Sequence, residues 1–122
     1  KRPFVIVDGA HNPHGAGALA KSLAGLKFGK LILVFGCLKD KDAKEMLEKY
    51  PYDRLIVTSP NSDRAYKNAE LKKVFRGREI VLPVSAAIKK AMKIAGKDDL
   101  VLVTGSLYTA GEALKYYNYK TA

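Results

Sequence analysis

Leu31-Ile32-Leu33-Val34-Phe35 is an unbroken apolar run closed by Gly36, and neither a half-solvated strand nor an amphipathic helix reads that way. A strand with one wet face alternates apolar and polar side chains, whereas a strand covered on both faces is continuous. The run therefore predicts a parallel sheet with a layer of helices above and below it. Leu100-Val101-Leu102-Val103-Thr104 repeats the pattern, and two such strands need most of one domain to cover them.

The stretches between supply that cover. Val5-Ile6-Val7 ends at Asp8, and the polar loop Asp8-Gly9-Ala10-His11-Asn12 leads to Pro13. Asn12 can cap a helix whose first position suits Pro13, since the missing N–H has no partner there. Ala16, Leu19, Ala20, Leu23 and Leu26 recur at three and four, predicting a helix over 14–26 that buries this stripe and exits at Gly25 and Gly29. Ala43, Met46, Leu47 and Tyr50 mark a second helix, stopped by Pro51.

Arg54-Leu55-Ile56-Val57-Thr58 reads as a third strand, followed by the turn-rich loop Ser59–Arg64. Leu71, Val74 and Phe75 suggest a short third helix, and Glu79-Ile80-Val81-Leu82 a fourth strand. Ser85 is a candidate cap for a helix carrying Ala87, Ile88, Ala91, Met92 and Ala95, with Gly96 at its exit. After the fifth strand, Gly105-Ser106-Leu107-Tyr108-Thr109 turns into a last helix through Ala110, Ala113, Leu114 and Tyr117. Connections too long for hairpins force right-handed crossovers. The expected architecture is one doubly wound α/β domain over 1–122, a mostly parallel sheet of about five strands with helices on both faces. Because parallel strands point one way, the loops Asp8–Asn12, Cys37–Asp42, Ser59–Arg64 and Gly105–Thr109 should share one rim, where open α/β sheets bind ligands.

Composition narrows the function classes. No apolar run approaches the roughly 20 residues needed to cross a bilayer, and no signal-peptide pattern opens the chain, so a cytoplasmic location is expected. The single cysteine, Cys37, leaves no internal disulfide and reads as a small buried residue at a strand end. A net charge of +10 would attract polyanions such as nucleic acid. The lysines are spread along the chain, however, and Lys39, Lys41 and Lys44 alternate with Asp40, Asp42 and Glu45 as on a solvated helix face.

Near-motifs are rejected on context. Gly15, Gly17 and Ala20 match a relaxed dinucleotide fingerprint, and Gly15 with Ala20-Lys21-Ser22 approximates a phosphate loop. The glycines come too late after the strand, and alanine replaces the second glycine of the phosphate loop. His11 and His14 lack the companions of a metal site, so no metal ligand is assigned. No Gly-x-Ser-x-Gly elbow offers a nucleophile. Gly105 reads as a turn residue, and Ser106 as a helix cap or as a hydroxyl for a ligand carboxylate.

Taken together, Asp8-Gly9-Ala10-His11-Asn12-Pro13, Gly36-Cys37-Leu38-Lys39-Asp40-Lys41-Asp42, Thr58-Ser59-Pro60 through Arg64-Ala65, Gly105-Ser106-Leu107-Tyr108 and Gly111-Glu112 resemble the C-terminal domain of folylpolyglutamate and dihydrofolate synthases. These are members of the Mur ligase superfamily. The resemblance implies an ATP-dependent ligase: ATP phosphorylates a folate or dihydropteroate carboxylate, and the amine of L-glutamate displaces the phosphate. It places Asp8 by the ATP ribose with Asn12 beside the nucleotide, and His11 and Ser106 near the incoming glutamate. Asp40 and Tyr108 are secondary candidates. It also implies magnesium, a phosphate-gripping loop and the folate pocket in an N-terminal ATPase domain that this chain does not supply. The family's Pro-Gly-Arg segment is absent too, Arg2 lying outside any such motif. On this reading the domain is inactive alone. Competing expectations are a free-standing NAD-like nucleotide module and a basic nucleic-acid-binding domain.

Overall fold

Strand and helix alternate five times in the computed structural model, which describes residues 3–121; Arg2 lies outside them. The order is β1 (Phe4–Val7), α1 (Pro13–Leu23), β2 (Leu31–Phe35), α2 (Ala43–Glu48), β3 (Arg54–Val57), α3 (Asn68–Val74), β4 (Glu79–Ile80), α4 (Val84–Ile94), β5 (Leu100–Thr104) and α5 (Leu107–Thr121). All neighbouring strands pair in parallel, in the order β1-β5-β2-β3-β4. The expected doubly wound sheet is thus present, with β5 inserted between β1 and β2.

Period-two burial explains the two continuous runs. Leu31, Leu33 and Phe35 of β2, with Leu100 and Leu102 of β5, join Ala16, Leu23, Ala43, Met46 and Leu71 from α1, α2 and α3 on one face. Ile32, Val34, Val101 and Val103 meet Val84, Ala87, Ile88, Ala91 and Ala113 from α4 and α5 on the other. Each side chain of β2 and β5 is buried, and the one polar residue among them, Thr104, stands at the carboxyl end of β5.

Asn12 caps α1 as expected, its side-chain oxygen accepting the Gly15 N–H at 2.7 Å, and Pro13 opens the helix. The helix stops at Leu23 rather than reaching 26, and Leu26 is 51% exposed. Gly25 and Leu26 leave as a turn, their N–H groups donating to Ser22 and Leu23 carbonyls. Leu26 is thereby carried off the apolar stripe. Ser85 does not cap α4; the helix begins at Val84 with Pro83 at the cap position. β4 is only two residues long, Glu79–Ile80 rather than reaching Leu82, and lies on the sheet edge, where it pairs with β3 alone. Lys39 and Asp40 precede α2 instead of lying on its face, and Asp42 caps it by accepting the Glu45 N–H. Val74 and Leu114, two of the apolar residues that suggested α3 and α5, are exposed.

Two carboxylates brace the sheet. Asp99 accepts the N–H groups of Lys30 and Gly96, which hold it below its ordinary value of 3.8. Glu79 is held below 4.5 by Lys90 and then Arg54. A lowered native pKa gives stability that is complete above the unfolded value and lost as pH falls through the native one. The urea midpoint is therefore expected to hold steady down to about pH 5 and fall below about pH 4. Asp99→Asn should flatten that acid limb; an unchanged limb would remove Asp99 from the account.

Candidate functional site

β1 and β5 lie side by side, and their pairing of Val7 with Val103 continues one step as the Asp8 N–H donates to the Val103 carbonyl at 3.0 Å. Strands one and five had to be neighbours if His11 and Ser106 belong to one site, and they are. β5 is also where the winding reverses. The strands on either side of it lead into α1 and α2 on one face, whereas β5 leads into α5 on the other. Loops departing in opposite directions leave a crevice at the carboxyl ends of these strands. Asp8–Asn12, Gly36–Asp42 and Gly105–Thr109 surround it.

Close backbone packing builds the floor. Gly105 has φ +120, and a Cβ there would lie 2.6 Å from the Gly36 carbonyl oxygen. A Cβ on Gly36 would in turn meet the Thr109 hydroxyl at 2.8 Å. The Thr109 hydroxyl donates to the Gly36 carbonyl at 2.6 Å and accepts from the Ser106 hydroxyl at 2.9 Å. The Thr109 N–H donates to Ser106 Oγ at 2.9 Å, capping α5. Ser106 is 1% exposed. Its hydroxyl is turned inward and engaged on both its donor and acceptor sides, so the Ser106 cap role is realised in this conformation. Helix geometry leaves the Leu107 and Tyr108 N–H groups, at the start of α5, without intrahelical acceptors.

The β1 loop stands differently. Asp8 is half-buried and accepts the Ala10 N–H through Oδ1 at 2.8 Å, which fixes the turn and orients the carboxylate. Burial pushes the Tyr50 phenol up, and the charge of Asp8 adds to this. His11 is exposed, with Nδ1 3.1 Å from the Gly9 carbonyl oxygen. A proton on Nδ1 would make that contact a hydrogen bond and aim Nε2 away from the loop. Asn12 is also exposed, its side-chain oxygen committed to the helix cap. Leu107, 68% exposed, packs against Gly9 and ties the two loops together, with exposed Tyr108 beside it. Asp40 pairs with Arg64 at 3.4 Å, joining the loops after β2 and β3.

Thr109 is the residue that sequence reading missed. Its signal was available in the glycines that end β2 and begin the turn after β5, since two strand ends without side chains invite close backbone approach. Gly15 and Gly17 lie inside α1, with the Gly15 N–H already taken by Asn12, so they form no phosphate loop. Among the described residues no three His, Cys, Asp or Glu groups are placed to hold a metal ion. No helix among them is long and apolar enough to cross a membrane.

Cys37 sits under the rim, 2% exposed, with its thiol pushed up to about 12 by burial against a partly opposing backbone hydrogen bond. A buried neutral thiol is a poor nucleophile. Labelling by a disulfide reagent at about pH 8 should be negligible in native protein and complete in denaturant. Rapid native labelling would mean that the rim opens.

The chain belongs to the Mur ligase family: residues 1–107 match the domain described as Mur ligase, glutamate ligase domain. Within that family it is similar to folylpolyglutamate and dihydrofolate synthases and also, at 33% identity, to the UDP-N-acetylmuramoyl-L-alanyl-D-glutamate–2,6-diaminopimelate ligase of Clostridioides difficile. It is 38% identical over 117 residues to a probable bifunctional folylpolyglutamate synthase/dihydropteroate synthase of Halobacterium salinarum, covering 91% of this chain and 14% of that protein. E. coli FolC, solved with ADP and without folate substrate, superposes with a TM-score of 0.87 at 29% identity, covering 99% of this chain and 30% of that one. A bifunctional folylpolyglutamate synthase/dihydrofolate synthase with Mn, AMPPNP and L-glutamate bound gives a TM-score of 0.85 at 30% identity, over 95% of this chain and 29% of that one. The chain thus spans less than a third of each of these proteins.

Proposed function

We propose that this chain is the glutamate-ligase domain of an ATP-dependent enzyme that joins L-glutamate to a folate or dihydropteroate carboxylate through an acyl phosphate. The observation that carries the reading is the pairing of β1 with β5, which sets the Asp8–Asn12 loop beside the start of α5, where Leu107 packs on Gly9. This occurs in a chain of the same fold as enzymes solved with ADP, or with AMPPNP and L-glutamate.

The residues suit the groups assigned to them. The Asp8 carboxylate, already oriented by the Ala10 N–H, can accept ribose hydroxyls of ATP, and Asn12 lies beside it at the start of α1. A protonated His11 ring, with Nδ1 donating to Gly9, would offer Nε2–H to a glutamate carboxylate. Ser106 serves the same ligand indirectly: its cap fixes the first turn of α5, whose Leu107 and Tyr108 N–H groups favour an anion. Magnesium, when bound, offsets phosphate charge. Its ligands and the phosphate-gripping loop are assigned to an N-terminal ATPase domain, as is the folate pocket. The role of this chain is to close on that domain and hold the amine donor against the acyl phosphate, a gain in proximity that neither half achieves alone.

The test is ATP-dependent incorporation of labelled glutamate into folate or dihydropteroate by the full-length enzyme. His11→Ala is expected to raise the KM for glutamate roughly tenfold or more with little change in nucleotide affinity. Asp8→Asn should do the reverse, weakening nucleotide by roughly tenfold. Unchanged glutamate KM in the His11 variant, or no incorporation by wild type, would defeat the assignment.

A further inference from the structure

Away from the rim, an open groove of about 740 Å³ runs between α4 and α5. Lys89, Met92 and Lys93 line it from α4, and Glu112, Lys115 and Tyr116 from α5. These α4 residues recur at three and four and form one stripe. Both helices follow parallel strands, so both descend from the carboxyl rim in the same direction. Glu112 lies six residues beyond Ser106, about 9 Å along the α5 axis. The groove therefore begins within reach of the proposed glutamate site and leads away from it.

Its charge is unbalanced. Lys89, Lys93 and Lys115 make no ion pair among the described residues, whereas Lys90, next in sequence, is paired with Glu79. Glu112 is the one acid in the lining, and its carboxylate accepts the Asn61 N–H. Three ammonium groups thus surround a floor that Met92 and the Tyr116 ring make partly apolar. An anionic ligand with methylene segments between its charges would complement both features.

We propose that the α4–α5 groove binds an oligo-γ-glutamyl chain, the polyanionic tail that the ligase reaction proposed above would build. This rests on that reading. Each γ-linked residue contributes five backbone bonds, roughly 6 Å when extended, and carries one α-carboxylate. Lys89 and Lys93 are four residues apart, about 6 Å along α4, so successive carboxylates match successive lysines. The intervening methylenes lie on Met92 and Tyr116. A duplex nucleic acid shares the charge but has no use for a partly apolar floor of Met92 and Tyr116.

The experiment titrates the isolated chain with penta-γ-glutamate and follows backbone amide shifts. Shifts centred on residues 85–93 and 112–116, weakening with added salt, are expected. Replacing Lys89, Lys93 and Lys115 together by Ala should weaken binding roughly tenfold or more. The matched triple Lys21→Ala, Lys72→Ala and Lys73→Ala, on the opposite face, should leave it intact. Equal losses in the two triples, or shifts confined to residues 8–12, would overturn the proposal. So would tighter binding of a short DNA duplex at the same lysines, which would make this a polynucleotide surface. In the full-length enzyme the groove variant should yield shorter glutamyl chains than wild type. A wild-type enzyme that extends no chain would overturn the function proposed above, whereas failed selectivity in the isolated chain overturns the groove assignment alone.

Discussion

Gly105→Ala is expected to cost roughly 3 to 5 kcal/mol of folding stability, a large share of the about 10 kcal/mol usual for a domain of this size. Two penalties coincide there. The backbone sits at φ +120, which L side chains rarely adopt, and the new methyl would lie 2.6, 2.8 and 2.9 Å from the carbonyl oxygen, carbonyl carbon and amide nitrogen of Gly36. None of those atoms is the flexible end of a side chain, so relief requires moving β2 or β5 in the middle of the sheet. Gly77 separates the two penalties: its φ is +79, but nothing lies within 4 Å of an added Cβ. Gly77→Ala should therefore cost only about 1 kcal/mol. Urea denaturation of the two variants beside wild type is the measurement. Equal midpoints would show that the Gly36–Gly105 contact yields easily and that rim geometry is less rigid than argued.

Thr109→Val is expected to cost roughly 2 to 3 kcal/mol although the side chain keeps its shape. The substitution removes the donor to the Gly36 carbonyl and the acceptor of the Ser106 hydroxyl in one step, both in a fully buried setting. Leaving buried polar groups unpaired costs more than the hydrogen bonds themselves contribute. Thr109→Ser keeps the hydroxyl and loses a methyl, so it should cost about 1 kcal/mol. Denaturation midpoints ordered wild type, Ser, Val would support a network that fixes α5 to β2. Val as stable as Ser would mean that the chain Ser106–Thr109–Gly36 contributes nothing.

The geometry of the candidate site was partly legible beforehand. Asp8, His11 and Asn12 stand out because polar groups cluster where an apolar strand stops, and the Asn12 cap depends only on neighbours three residues away. Gly105 announces a turn for the same local reason. Thr109 looks like any helical residue in sequence, because its partner Gly36 is seventy-three positions distant. Leu26 and Ser85 show the opposite limit. Their local signals were sound, but the turn at Gly25 and the cap at Pro83 set the helix ends.

The apolar runs of β2 and β5 by themselves determined a parallel sheet covered on both faces, because side chains alternate sides and every one of them is apolar or small. Strand order was left to the tertiary structure. Right-handed crossovers fix which face each helix takes but not which strand a returning chain will pair with. The insertion of β5 between β1 and β2 is what brings Asp8, Gly36 and Ser106 to one crevice. The same packing turned the Ser106 hydroxyl inward: with Gly36 and Gly105 backbone to backbone, the buried Gly36 carbonyl takes its partner from Thr109, and Ser106 completes that chain while capping α5.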